Sequence, residues 1–315
     1  MMTSRSYVSI VISAFNEEGN IRVLYEQIIE QISKVPLEHF EIIWVNDGSS
    51  DQTLRECRKL VEIDKRCKIV NLTRNRGHEI AMTAGMDYAS GDCVLFMDAD
   101  LQHPAKYIPK MIAHWQKGAD VVLTKRVANR EESRLSKILG LLYYKVLNFL
   151  SDVPIPSQSP DFRLIDRKYV EVLKKMDEGE RMFRGLLNWV GISRCVVVKF
   201  IAPKRLSGET KYNFRKSLSL ALDGIIQFST RPLRLATYIG LLAIGFVGII
   251  GIYTLWEHFV KGVTENGYAT TIMTIVFVSS IQLIFLGIIG EYIGRIHLEV
   301  KKRPLYFAEF IDRDE

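Results

Sequence analysis

The sequence predicts an α/β protein with a Rossmann-like, mostly parallel sheet, followed by an interfacial helix and a two-helix transmembrane hairpin. Three observations carry this reading. Short apolar runs alternate with helical patterns through residues 7–123, as in βαβ units whose parallel sheet is covered on both faces. Two later stretches, 235–256 and 271–290, contain no Asp, Glu, Lys or Arg, and each can span a hydrocarbon core of roughly 30 Å. Several of the N-terminal apolar runs end in acidic residues, at the sheet edge where open α/β proteins bind ligands.

In order, residues 7–13 (YVSIVIS) predict a buried strand, and Asn16-Glu17-Glu18-Gly19 opens a helix over 20–33. A second strand over 40–45 ends in Asn46-Asp47-Gly48-Ser49-Ser50-Asp51. Residues 53–64 are helical, with Leu54, Cys57 and Val61 at helical spacing. A strand over 68–72, a helix over 77–89, a strand over 92–97, a helix over 104–117 and a strand over 120–123 complete the alternation. Residues 134–150 form an amphipathic helix, and 151–160 a loop with three prolines. A short strand over 161–165, helices over 167–176 and 180–190 and a strand over 195–201 follow.

Residues 214–230 place Leu218, Leu222, Ile225 and Ile226 opposite Arg215, Lys216 and Asp223, the pattern of a helix lying along a membrane. The expected organisation is a cytoplasmic catalytic domain over 1–213 and an interfacial helix over 214–232. Residues 233–315 then comprise the hairpin, a short outer loop and a basic cytoplasmic tail. Arg231, Arg234, Arg295, Lys301, Lys302 and Arg303 flank the spans, against one lysine in the loop. The positive-inside rule therefore puts both termini in the cytoplasm of a two-span integral membrane protein. The N-terminus shows no signal-peptide core, so the first domain is expected to stay in the cytoplasm. Gly240, Gly245, Gly248 and Gly251, with Gly287, Gly290 and Gly294, suit close helix packing within the hairpin or between copies in a homo-oligomer.

Composition narrows the partners. The 315-residue chain carries a net charge of +6, concentrated over 199–234 and 295–303 beside the apolar spans. An anionic membrane surface or a phosphorylated ligand fits that placement better than nucleic acid. Its four cysteines lack metal-ligand spacing, so reduced structural thiols are expected.

The candidate chemistry lies in three loops predicted to converge at the carboxyl edge. They supply Glu17, Glu18, Asp47, Asp51, Asp98 and Asp100. Crowding these carboxylates is unfavourable unless a cation or ligand donors offset the repulsion. Neither G-x-G-x-x-G nor a Walker lysine occurs, so phosphates would be held through a metal and side chains. Asp98 and Asp100 suit a hard divalent cation, which takes oxygen ligands and substrate phosphates; otherwise they form a turn before the helix at Pro104. His103 is expected to pack beneath this loop.

Seven motifs in order, beginning Ser13-Ala14-Phe15-Asn16-Glu17-Glu18, resemble one family. The others begin at Val45, Asn75, Met97, Ser159, Arg184 and Arg205, and include Asp98-Ala99-Asp100, Asp161-Phe162-Arg163 and Arg205-Leu206-Ser207-Gly208-Glu209-Thr210-Lys211. The chain is similar to inverting family 2 glycosyltransferases of GT-A fold, and within them to polyprenyl-phosphate glycosyltransferases. The resemblance implies that Glu18 and Asp47 contact the nucleotide base and ribose. It implies that Asp98, Asp100 and Gln102 bind Mg²⁺ or Mn²⁺, with Asp98 also on the nucleotide-sugar. It makes Asp161 the catalytic carboxylate and Arg126, Arg205 and Lys211 the phosphate-holding cations. The chain departs from the family pattern at Ser13, where proline is usual, and at Pro160, where glycine is common.

The implied reaction is transfer of a sugar, glucose from UDP-glucose as first choice, to a polyprenyl monophosphate with inversion. Transfer from GDP-mannose to a dolichol-type lipid is the alternative, and a non-catalytic nucleotide-sugar-binding scaffold is a third reading. A processive polysaccharide synthase is disfavoured, because no Q/R-x-x-R-W signature is present.

Overall fold

Eight strands form one mixed sheet in the order β7-β5-β6-β4-β1-β2-β3-β8. The computed structural model describes residues 5–127, 160–176, 178–179, 181–201, 231–261 and 267–311. The predicted helices over 134–150 and 214–230, and the predicted site residues Arg205 and Lys211, lie outside the described residues. The described elements fall into two units, the sheet domain and the helical hairpin, and the segment from Arg303 onward belongs to the first.

The centre of the sheet is parallel, with β1 (Tyr7–Ala14) between β2 (His39–Asn46) and β4 (Cys93–Asp98), and β3 (Cys67–Leu72) beyond β2. β1, β2 and β4 are buried on both faces along nearly their whole length, which explains their unbroken apolar runs. One face is covered by α1 (Ile21–Ile32), α2 (Thr53–Ile63) and α4 (Ile108–Gln116), whose Leu24, Leu60 and Trp115 join Ile10, Trp44 and Leu95 in a single core. On the opposite face α3 (His78–Tyr88) lies very close to β1 and β2. A Cβ built at Gly85 would fall 2.2 Å from Val11 Cγ1, so glycine sets how closely this helix approaches. α5 (Arg167–Lys174) and α6 (Phe183–Val190) follow, with Phe183 against Phe96 at 5.5 Å between ring centroids.

Three local expectations are corrected. The helix predicted over 104–117 is a 3₁₀ turn, Ala105–Tyr107, followed by α4. Pro109 stands in the first turn of α4, where its missing N–H costs nothing, and could not have been carried inside a longer helix. β5 (Val121–Arg126) is longer than expected, and β6 (Arg163–Asp166) begins after Asp161 and runs antiparallel to both β4 and β5. The chain therefore enters β6 at the carboxyl edge, which brings Asp161 to the edge where β4 ends. β7 (Cys195–Phe200) pairs with β5 in parallel.

One strand was not predicted. Ala308–Ile311 is a strand, β8, pairing antiparallel with β3. It covers a row of β3 backbone groups that would otherwise form an open edge. Phe310 stacks on Tyr88 at 4.6 Å, and Tyr306 Oη donates to Asp87 Oδ2 at 2.8 Å.

The second unit consists of α7 (Arg231–Lys261) and α8 (Gly267–Val300). Within them Ala236–Tyr253 and Met273–Val300 have mean hydropathies of 2.0 and 2.2 and are unburied within the protein. Both helices are long and apolar enough to cross a membrane. Thr237, Thr271 and Ser280 donate their hydroxyls to carbonyls one turn back, satisfying polar groups that hydrocarbon would not. All four cysteines are free thiols, and Cys57, Cys67 and Cys93 are buried.

Candidate active site

Two of the acidic loops are laced to each other. Asn16 adopts φ 58°, a left-handed conformation that asparagine tolerates. Its side-chain oxygen accepts the Ser50 N–H at 2.9 Å, and its own N–H donates to Ser49 Oγ at 3.0 Å. The Glu17 N–H donates to Thr53 Oγ1 at 2.8 Å, and the Glu18 N–H to Asp51 Oδ2 at 3.2 Å. In return the Gln52 and Thr53 N–H groups donate to Glu18 Oε2 at 2.8 Å and Asp51 Oδ1 at 3.0 Å. These amides open α2 and have no partner within the helix, so the two carboxylates cap it.

Asp47 ties in the β3–α3 loop. Its oxygens accept the Arg76 N–H at 2.7 Å and the Gly77 N–H at 3.0 Å. Burial pushes its carboxyl above the usual range, and the two amides oppose that rise. The loops meet so closely that a Cβ on Gly48, at φ 65°, would lie 2.4 Å from the backbone of Arg74 and Asn75.

The third loop leaves β4 through Asp98-Ala99-Asp100. Leu101 holds φ 61° while packing against the core; this strained conformation for a branched residue turns the chain sharply between Asp100 and Gln102. The Gln102 N–H donates to Asp100 Oδ1 at 3.0 Å. Beneath the loop lies His103, buried and stacked on Phe162 at 5.2 Å, its Nδ1 accepting the Asp98 N–H at 2.9 Å. That is the packing role expected for it.

Asp98 Oδ1 accepts from Ser13 Oγ at 2.9 Å and lies 3.1 Å from His78 Nδ1. Burial alone would raise this carboxyl, but His78, His103 and the Ser13 hydroxyl outweigh it and hold it well below the usual carboxylate range. Burial would likewise lower the His78 ring, yet the Asp98 charge leaves it above its ordinary value. His78 Nε2 lies 3.1 Å from Asp161 Oδ2. Asp161 also pairs with Arg163 through Oδ1, and with Arg184, whose Nη2 is 3.1 Å from Oδ2. Arg163 is fully buried, with Nε and Nη1 unpaired, and burial lowers its guanidinium to about 10.

A cavity of about 260 Å³ opens among these loops, lined by Ser13, Glu17, Asp47, His78, Asp98 and Asp100 with their neighbours. Of the Glu17–Glu18 pair it is Glu17 that reaches the wall, where burial pushes its carboxyl up. Arg126 stands exposed at the end of β5. Reading the sequence missed His78, Arg163 and Arg184. The signal was available, since six crowded carboxylates require cations, and all three residues sit in or beside quoted motifs. Ser13, where proline is usual, supplies a hydroxyl to Asp98 that proline could not.

Among the described residues no three acidic, histidine or cysteine side chains converge to hold a metal unaided. Asp98 and Asp100 nevertheless each commit only Oδ1 to a hydrogen bond, and Asp98 Oδ2 has His103 Nδ1 at 3.6 Å. Two carboxylates completed by water and substrate phosphate are the donor set Mg²⁺ or Mn²⁺ prefers.

An α/β sheet with acidic loops at its carboxyl edge and an apolar helical hairpin after it defines a class, and comparison with known proteins places the chain in it. The Glycosyl transferase family 2 profile matches residues 9–174, and the GtrB C-terminal hairpin profile matches residues 231–296. The chain belongs to glycosyl transferase family 2. It is 40% identical over 302 residues to the bactoprenol glucosyl transferase of Shigella phage SfII, covering 96% of this chain and 97% of that one. It is 38% identical over 306 residues to the prophage bactoprenol glucosyl transferase homolog of Escherichia coli strain K12, covering 97% and 99%. An uncharacterized glycosyltransferase of Bacillus subtilis strain 168 is 39% identical over 308 residues, covering 98% and 95%.

Proposed function

We propose that this glycosyltransferase moves glucose from UDP-glucose to a polyprenyl monophosphate such as undecaprenyl phosphate, with inversion at the anomeric carbon. The observation that carries the reading is a cavity lined by Asp47, Asp98 and Asp100, with Asp161 set behind its His78 at 3.1 Å from Nε2. Near-full-length similarity to bactoprenol glucosyl transferases supports the substrate classes.

In this reading Asp47 and the Glu17–Glu18 pair take the nucleoside end of the donor. Asp98, Asp100 and Gln102 hold Mg²⁺ or Mn²⁺, which supplies Lewis-acid stabilisation of charge on the departing diphosphate. Arg126, Arg205 and Lys211 bind donor diphosphate or acceptor phosphate. The acceptor phosphate oxygen forms the new bond to the anomeric carbon as the bond to the UDP oxygen breaks, and that electron pair leaves with UDP. A phosphate monoester is largely dianionic near pH 7, so the nucleophile needs little deprotonation. Asp161, already engaged by His78, Arg163 and Arg184, accordingly orients the acceptor side rather than abstracting a proton.

The two apolar helices serve as a membrane hairpin with both termini cytoplasmic. Six of the hairpin glycines noted above, all but Gly240, have open space where a Cβ would stand, leaving those faces to lipid or to another copy.

The test is transfer from labelled nucleotide sugars to undecaprenyl phosphate by the full-length protein in detergent. UDP-glucose yields a glucolipid, EDTA abolishes it, and Mg²⁺ or Mn²⁺ restores it. Efficient transfer from GDP-mannose but not UDP-glucose would assign the other donor. No glycolipid from any donor would leave the scaffold reading.

A further inference from the structure

The strand register places three side chains in one row. β1 pairs with β4 so that Ser13 lies opposite Asp98. β4 pairs with β6 antiparallel, ending at Phe96 opposite Arg163; continuing that register by two residues puts Asp98 opposite Asp161. Two carboxylates are thus set against each other across neighbouring strands, an arrangement that repels. The row lies on the sheet face covered by α3, and the first residue of that helix is His78. Its ring spans the row, with Nδ1 at 3.0 Å from Ser13 Oγ and 3.1 Å from Asp98 Oδ1, while Nε2 approaches Asp161 Oδ2 at 3.1 Å as an ion-pair contact outside hydrogen-bond geometry.

We propose that His78 is a positioning residue which joins the donor-side carboxylate Asp98 and the acceptor-side carboxylate Asp161 into one rigid unit. The inference rests on the glycosyl-transfer reading for its consequence, not for its geometry. Each carboxylate has other anchors. Asp98 retains the Ser13 hydroxyl, and Asp161 retains Arg163 and Arg184. Removing the ring therefore leaves both in the site and releases their relative placement. Donor binding survives that loss, whereas in-line transfer depends on the two sides being aligned to a fraction of an ångström.

Two measurements test the proposal. In His78→Ala the kcat for glucosyl transfer falls by about 10²-fold, while Mn²⁺–UDP affinity, read by electron paramagnetic resonance without acceptor, stays within about threefold. His78→Gln keeps a single donor group and recovers part of kcat. The second measurement needs no activity. His78→Ala leaves the two carboxylates opposed, so adding Asp161→Asn to it lowers Tm less than Asp161→Asn does alone, where the buried Arg163 loses its counter-charge with no repulsion relieved in return. The effects are non-additive because the residues touch. If Asp161→Asn lowers Tm equally in both backgrounds, or if Mn²⁺–UDP affinity falls as far as kcat in His78→Ala, the bridge is wrong. If wild type transfers no sugar while the stability cycle still couples, the glycosyl-transfer reading fails and the bridge stands.

Discussion

The carboxylates at the sheet edge are held in two different ways. Asp47, Asp51 and Glu18 use their oxygens on backbone N–H groups of neighbouring loops. Asp98 and Asp161 are held mainly by side chains, namely Ser13, His78, Arg163 and Arg184. A backbone amide cannot move away without unfolding its loop, so the first group fixes the shape of the loops on that side of the cavity. The side chains around the second group carry charge and hydroxyl donors that also hold the Asp98 carboxyl ionised, which suits that group to the proposed chemistry. The acids look alike in the sequence, yet one set is tied to backbone and the other to side chains.

The largest expected effect breaks the second set. Asp98→Asn removes a charged oxygen ligand from the proposed cation site while keeping the side chain's shape and its contact with Ser13. Transfer should fall by about 10²–10³-fold, the loss of a few kcal/mol of transition-state stabilisation. The fold is carried by β4 and its neighbours, so Tm should move by only a few degrees. A variant that keeps near-wild-type turnover would remove Asp98 from the chemistry.

The matching change in the first set reverses the pattern. Asp47→Ala leaves the Arg76 and Gly77 amides without their partner in a buried position. Each such group costs about 1–3 kcal/mol, so a fall in Tm on the order of 5–10 °C is expected for a domain of this size. Thermal unfolding measured with and without UDP checks it, and an unchanged Tm would mean that water replaces the carboxylate and that Asp47 serves the ligand alone.

How far this division was legible depends on the link involved. The parallel strands β1, β2 and β4 were readable because a strand buried on both faces is apolar nearly throughout, and the acidic residues after them marked the edge. β6 was visible as a strand but not as an antiparallel one, since direction is set by where the chain re-enters the sheet. The roles of the acids were not separable, because Asp47 and Asp98 both follow an apolar strand. Only the partners distinguish them, and those come from residues 29 positions away for Asp47 and 85 for Asp98. β8 was hidden for a different reason. Its four residues, Ala308-Glu309-Phe310-Ile311, are too few for a period to stand out beside a basic segment.

That last strand supplies the smallest prediction and a control on the comparison. β8 touches none of the edge carboxylates; it closes β3, and Phe310 stacks on Tyr88 at the far end of α3 from His78. Phe310→Ala gives up the stacked pair and part of its buried area, about 1–2 kcal/mol, or a Tm lower by roughly 2–8 °C. Tyr306→Phe removes only the hydrogen bond to Asp87, about 0.5–1.5 kcal/mol. Both should leave the donor KM and the kcat of the folded enzyme unchanged, as measured by transfer assays well below Tm. If Phe310→Ala lowers kcat without lowering Tm, then α3 transmits the state of its far end to His78, and scaffold and reacting groups are not separable along that helix.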